Sequence, residues 1–206
     1  MLYLIFMHLF FSTPIWINEI NNHENINKEL TNYLYQEKEK NPEGAKKSNV
    51  NGWHSNDFEL KNENLKNFIT EISKNIGSTI KDMDWDLETQ VVKITNMWAI
   101  INSKDAFNEK HHHGNSALSA AYYVKAEQNA GNIVFFDPRQ ANVFHHPASK
   151  EVNKINAQVQ SITPKAGTLV LFPSYLEHKV NPNLSNEDRI VISFNVSLIK
   201  KKDLLK

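Results

Sequence analysis

The sequence predicts a mostly-β protein, a jelly roll or β-sandwich entered through two helices, and three observations carry that reading. The first half shows apolar residues at helical spacing, whereas after Asp86 the apolar runs become short, β-branched and aromatic. Those runs are separated by turn signals at Asn129 to Gly131, Asp137-Pro138, Pro164 to Gly167, Pro173 and Asn181 to Asn183. A chain of 206 residues with 40% hydrophobic content can bury one sizeable core and is short for two, so a single domain is expected. Residues 8–86 form its helical part and residues 89–199 its β core.

The first helix is placed from Trp16 to Lys40, where Ile20, Ile26, Leu30, Tyr33 and Leu34 recur among charged and amide residues. Asn41 to Asn51 holds Pro42 and Gly44 without apolar periodicity and reads as a loop. The second helix runs from Glu63 to Lys81, with Leu65, Phe68, Ile69, Ile72, Ile76 and Ile80 on its buried stripe. Strands follow at Val91 to Asn102, Leu118 to Lys125, Asn132 to Phe136, Gln158 to Ile162, Thr168 to Phe172 and Arg189 to Leu198. In the last strand Arg189, Ser193, Asn195 and Ser197 fall on one face, and Ile190, Ile192, Phe194 and Val196 on the other. A polar face so late in a buried strand meets either solvent or a pocket.

Composition narrows the chemistry. Lysine plus arginine equals aspartate plus glutamate at 23 each, so no global field draws in nucleic acid or an anionic membrane. Cysteine is absent, which excludes disulfides, thiolate metal sites and cysteine nucleophiles together. Met1 to Phe11 is apolar but too short to span a bilayer, lacks a basic start and a small-residue cleavage site, and points to a cytoplasmic protein, with Met7 an alternative start.

His111-His112-His113 precedes the strand that contains Tyr122 and Tyr123, and a lone His178 follows the strand ending at Phe172. Residues two apart on extended chain point the same way, so His111 and His113 can reach one metal while His112 points elsewhere. With His178 they would close one face around iron, zinc, copper or nickel. The plainer alternative is a solvated histidine run and a hydrogen-bonded core histidine. Arg189 lies on the polar face of the last strand, where its fork would grip a carboxylate or simply pair with Glu187 or Asp188.

The stretch Trp98 to Pro138, with His-His-His-Gly-Asn-Ser-Ala-Leu-Ser-Ala-Ala-Tyr-Tyr-Val-Lys and Gly-Asn-Ile-Val-Phe-Phe-Asp-Pro-Arg, resembles a small branch of the 2-oxoglutarate/iron(II) oxygenases. So do Pro164-Lys-Ala-Gly-Thr-Leu-Val-Leu-Phe-Pro-Ser-Tyr-Leu-Glu-His178 and Arg189-Ile-Val-Ile-Ser-Phe-Asn195, with weaker likeness at Thr13 to Trp16 and Gly52 to Ser55. The resemblance implies a double-stranded β-helix, the cupin-like jelly roll. It further implies iron(II) on His111 and His178, and 2-oxoglutarate as cosubstrate with its distal carboxylate on Arg189, where Ser193, Asn195 and Tyr123 are candidate contacts. Only one of Tyr122 and Tyr123 should reach the pocket.

The departure from the superfamily pattern is the second ligand, normally acidic and here His113, so a three-histidine face leads. Asp137 is the alternative carboxylate, or starts a turn; Arg139 would orient a substrate or pair with Asp137. The expected reaction is hydroxylation of an unidentified substrate by dioxygen, releasing succinate and carbon dioxide. The alternatives are a 2-oxoglutarate-independent three-histidine dioxygenase of cupin type and a non-catalytic jelly-roll binding protein. Trp98 is expected in the core, His145-His146 in a solvated loop near the entrance, and Arg139 to Ala157 as a lid that selects substrate.

Overall fold

A computed structural model describes residues 7–139 and 147–204. The chain order is β1 (Trp16–Glu19), α1 (His23–Lys40), β2 (Asn49–Val50), β3 (Trp53–His54), α2 (Glu63–Asp82), β4 (Gln90–Asn102), β5 (Phe107–His111), β6 (Leu118–Lys125), β7 (Ile133–Phe136), β8 (Val159–Ile162), β9 (Thr168–Pro173), β10 (His178–Val180) and β11 (Arg189–Lys200), with a closing 3-10 turn (Lys201–Leu204). The pairings make two antiparallel sheets: a larger one ordered β1-β9-β6-β11-β4-β3 and a smaller one ordered β2-β5-β10-β7-β8. Neighbours in these sheets are mostly distant in sequence, as a double-stranded β-helix requires.

Period-two alternation gives the larger sheet two buried faces. Met97, Ala99 and Ile101 of β4, Ile190, Ile192, Phe194 and Val196 of β11, and Ala120, Tyr122 and Val124 of β6 point outward to the helices. There Phe68 of α2 lies 4.8 Å from the Tyr122 ring, and the Tyr122 hydroxyl donates to Asn27 Oδ1 of α1 at 2.6 Å. The opposite residues, among them Ala121, Tyr123, Val170, Phe172 and Val191, form a second core with Ile133 and Phe135 of the smaller sheet. Helices on one side and a sheet on the other explain why β6 and most of β11 are buried throughout.

The first helix starts later than the periodicity predicts. Trp16–Glu19 is instead an edge strand on β9, with Trp16 opposite Leu171. Ile15 packs with the inter-sheet core and Trp16 with the helix-side core, the alternation of a strand, and Asn22 turns the chain at φ 56° before α1 begins. Four short strands, β2, β3, β5 and β10, are additional to the prediction. No helix among the described residues is long and apolar enough to cross a membrane.

Candidate metal centre and cosubstrate pocket

The inner face of the larger sheet is a lattice of cross-strand rows that register fixes. Asn96, Asn195 and Ser119 form one row; Trp98, Ser193 and Ala121 the next; then Ile100, Val191 and Tyr123; and finally Asn102 with Arg189. Most of these residues line one cavity of about 580 Å³, closed from the other side by His111, His113 and His178.

His111 ends β5 and His178 opens β10, and the two are paired across that ladder. His113 follows two positions after His111, its backbone N–H held by the Ser174 carbonyl at 2.9 Å. Nitrogen atoms of the three rings all lie within 4.8 Å of one another, a spacing that small side-chain shifts let one ion bridge. The Nδ1 atoms of His111 and His178 donate to the carbonyls of Glu109 (2.7 Å) and Leu176 (2.9 Å), each two residues back, leaving Nε2 as the lone pair for a metal. Burial drives His178 down to about 3 and His113 to about 4, with the neighbouring imidazoles adding to it, and burial lowers His111 as well. Three neutral nitrogen donors fit a divalent transition metal such as iron(II). His112 is exposed and stands outside this group.

Arg189 is 1% exposed, an unusual place for a guanidinium. Its Nη1 donates to the carbonyls of Ala130 and Asn181, the latter at 3.0 Å, but its Nη2 is buried with no partner among the described residues. A donor left so costs stability unless a ligand takes it, and a carboxylate is the natural acceptor. Burial lowers the Arg189 pKa and raises that of Tyr123 to about 12, which keeps the phenol protonated beside the arginine. Of the two tyrosines, Tyr123 faces this pocket and Tyr122 the helices.

The other sequence-predicted residues divide. Ser193 lines the cavity one row from Asn195 and two rows from Arg189. Asn195 does not join Arg189: six residues of extended strand, roughly 20 Å, separate them, and its amide is taken up by Ser119 and Asn96 at 2.7 and 2.9 Å. Asp137 is gripped by Arg139 through Nε and Nη2 at 2.9 and 2.8 Å, and both line a second cavity of about 330 Å³. Neither is brought to the histidines. The described end of the expected lid, Lys154, Ile155 and Ala157, lines that second cavity too; His145 and His146 lie outside the described residues.

Trp98 is a wall of the site as well as a packing residue. Its ring stacks with His54 (5.8 Å, 9° between planes) and with His113 (5.5 Å, 23°), and His113 in turn stacks on His178 (5.3 Å, 7°). His54 and Gly131 are the functional positions that residue patterns did not mark. A Cβ on Gly131, at φ +89°, would sit 2.6 Å from Arg189 Nη1 and 2.4 Å from the Asn181 carbonyl, so only glycine lets the arginine through.

A double-stranded β-helix with a histidine face at one end and a buried, half-satisfied arginine deeper in defines the class of metal-dependent oxygenases that take a carboxylate cosubstrate. Residues 96–195 match the family model described as 2OG-Fe(II) oxygenase, and this segment of the chain belongs to that family. Solved structures with the same fold include a prolyl-4-hydroxylase from Pseudomonas putida (TM-score 0.64, 12% identity, 90% of this chain and 93% of that one). HygX from Streptomyces hygroscopicus, with nickel, 2-oxoglutarate and hygromycin B bound, gives TM-score 0.63 at 11% identity over 90% of this chain and 83% of its own. A Trichoplax adhaerens prolyl hydroxylase in complex with a hypoxia inducible factor peptide gives 0.62 at 13% identity, over 92% and 84%. No curated protein matches the chain. Over residues 96–195 the chain thus carries a 2-oxoglutarate/iron(II)-dependent oxygenase domain.

Proposed function

We propose that His111, His113 and His178 hold iron(II), that Arg189 with Tyr123 and Ser193 holds the distal carboxylate of 2-oxoglutarate, and that the outcome is hydroxylation of a substrate. The observation that carries the reading is the buried Nη2 of Arg189, unpartnered among the described residues, in the cavity that the histidines close. When bound, iron(II) and 2-oxoglutarate supply the reduction of dioxygen, with succinate and carbon dioxide released and one oxygen atom entering a substrate C–H bond.

The chain's own contribution is positioning. His111, His113 and His178 would hold the ion through neutral imidazoles, and without a carboxylate among them the ion would keep more positive charge for an anionic cosubstrate. Arg189 and the protonated Tyr123 fix the far end of that anion by charge-assisted hydrogen bonds in a dry setting. Ile133, Phe172, Val180 and Val191 line the same cavity and exclude water. A three-histidine dioxygenase that dispenses with 2-oxoglutarate shares the metal face but has no use for the Arg189 arrangement. Of the proteins with this fold, one is described with hygromycin B bound and another in complex with a peptide fragment.

The test is anaerobic titration with iron(II) and then 2-oxoglutarate, following the visible charge-transfer band of the chelate. The band should appear in the wild-type protein. Its formation in Arg189→Ala should need roughly 30-fold more 2-oxoglutarate or worse, the scale on which breaking a buried charge pair costs about 2–5 kcal/mol. Iron binding without a band would favour the 2-oxoglutarate-independent reading.

A further inference from the structure

On the side of the histidine face away from Arg189, the first row of the lattice forms a hydrogen-bonded relay. Ser174 and Ser119 join through their hydroxyls at 2.8 Å, Ser119 donates to Asn195 Oδ1 at 2.7 Å, and Asn195 Nδ2 donates to Asn96 Oδ1 at 2.9 Å. Ser174 and Ser119 are at most 1% exposed and Asn195 is 6% exposed, so the relay rises from the interior to half-buried Asn96 in the cavity wall. Each group has one role in it. Ser119 spends its proton on Asn195 and accepts from Ser174; Asn195 spends its oxygen on Ser119 and its amide on Asn96. Asn96 Oδ1 is further occupied by the Thr95 hydroxyl at 3.3 Å. Its Nδ2 group makes no hydrogen bond among the described residues, and the relay holds it turned out as a donor.

We infer that Asn96 Nδ2 is the substrate-recognising donor of this enzyme and takes a neutral carbonyl oxygen, such as that of an amide. The inference rests on the proposed function, which puts 2-oxoglutarate between Arg189 and the histidines and leaves the Asn96 side of the cavity for substrate. Register supports the separation: Asn96 is one row beyond Trp98, whose ring touches His113, while Arg189 is two rows beyond it in the other direction. A neutral acceptor is favoured by the lysines and carboxylates that line the cavity. Lys47 and Lys110 are matched in number by Asp57 and Glu109 in the lining. No net field there selects an ion. The Trp98 ring is already stacked with the His54 and His113 rings, which leaves hydrogen bonding as the means of recognition on this wall.

Asn96, at the far end of the relay, is not one of the proposed metal or cosubstrate contacts, so the metal-free protein is enough for the test. The side-chain amide resonance of Asn96 is identified in a nitrogen-15 correlation spectrum by its loss in Asn96→Ala. N-Methylacetamide, a carbonyl acceptor, should shift that resonance saturably; methylammonium, a pure donor, should not. Shifts at neighbouring cavity resonances caused by N-methylacetamide should weaken at least fivefold in Asn96→Ala. In Asn96→Asp, which accepts where asparagine donates, preference should reverse towards methylammonium. Equal binding of N-methylacetamide by wild type and Asn96→Ala, or a wild-type preference for methylammonium, would overturn the inference. The iron(II)–2-oxoglutarate band is recorded on the same samples: its absence from the wild-type protein sinks the cosubstrate reading and leaves the Asn96 result standing.

Discussion

At the scale of single residues, the site depends on where each imidazole nitrogen points. His111 and His178 are turned by the same device, an Nδ1–H donated to the carbonyl two residues back, while His112, between two inward-facing histidines, is exposed. His111→Ala and His178→Ala should therefore each abolish stoichiometric iron(II) binding, and His112→Ala should bind as the wild type does. Anaerobic dialysis followed by iron analysis checks this, and loss of iron in His112→Ala alone would mean the wrong pair of neighbours had been chosen. The triad was legible because extended chain has a strict period of two. Trp98 was not, since a large aromatic on an alternating strand is usually core. Only the rings from β3 and from the loop after β5 reveal that it also walls the site. Asn195 shares a face of β11 with Arg189, but shared facing says nothing about distance along the strand, and register sets it in the row of Asn96 and Ser119.

Elements decide how Arg189 is delivered. The arginine begins β11, but what admits its head is the turn around Gly131, at the entry to β7, together with the Asn181 carbonyl just after β10. In Gly131→Ala the added methyl meets both the guanidinium and that carbonyl, in a backbone conformation costly for alanine. The variant should bind 2-oxoglutarate at least tenfold more weakly in the charge-transfer titration while retaining iron(II); unchanged cosubstrate affinity would show that the guanidinium position is not critical. The sequence marked Asn129 to Gly131 as a turn, but glycine's second role depends on a contact with a residue far along the chain. The long β-branched runs of β4, β6, β9 and β11 were readable for the opposite reason: their pattern is local. The short strands β2, β3, β5 and β10 span two to five residues, and Phe-Asn-Glu-Lys-His carries no apolar alternation, so partner strands define them.

For the whole molecule, burying several histidines couples folding to pH. Imidazoles of the unfolded chain titrate near 6.5, whereas in the fold His178 is held at about 3 and His113 at about 4, and His111 and His54 are also lowered. Between those limits the unfolded state binds more protons. The stabilisation is complete above pH 6.5 and is lost progressively as pH falls towards the folded values. The urea midpoint of the metal-free protein should accordingly drop between pH 7 and pH 4.5, and drop less in His178→Gln. An equal drop in both proteins would assign the acid sensitivity to other groups.

The pile of rings through His54, Trp98, His113 and His178 also joins the two sheets along one wall of the cavity. A metal ion seated there would act as a rivet through the wall of the barrel, so that the width of the cavity and the grip on the ion are one mechanical property. A guest that wedges the sheets apart loosens the ion; a tightly gripped ion narrows the cavity.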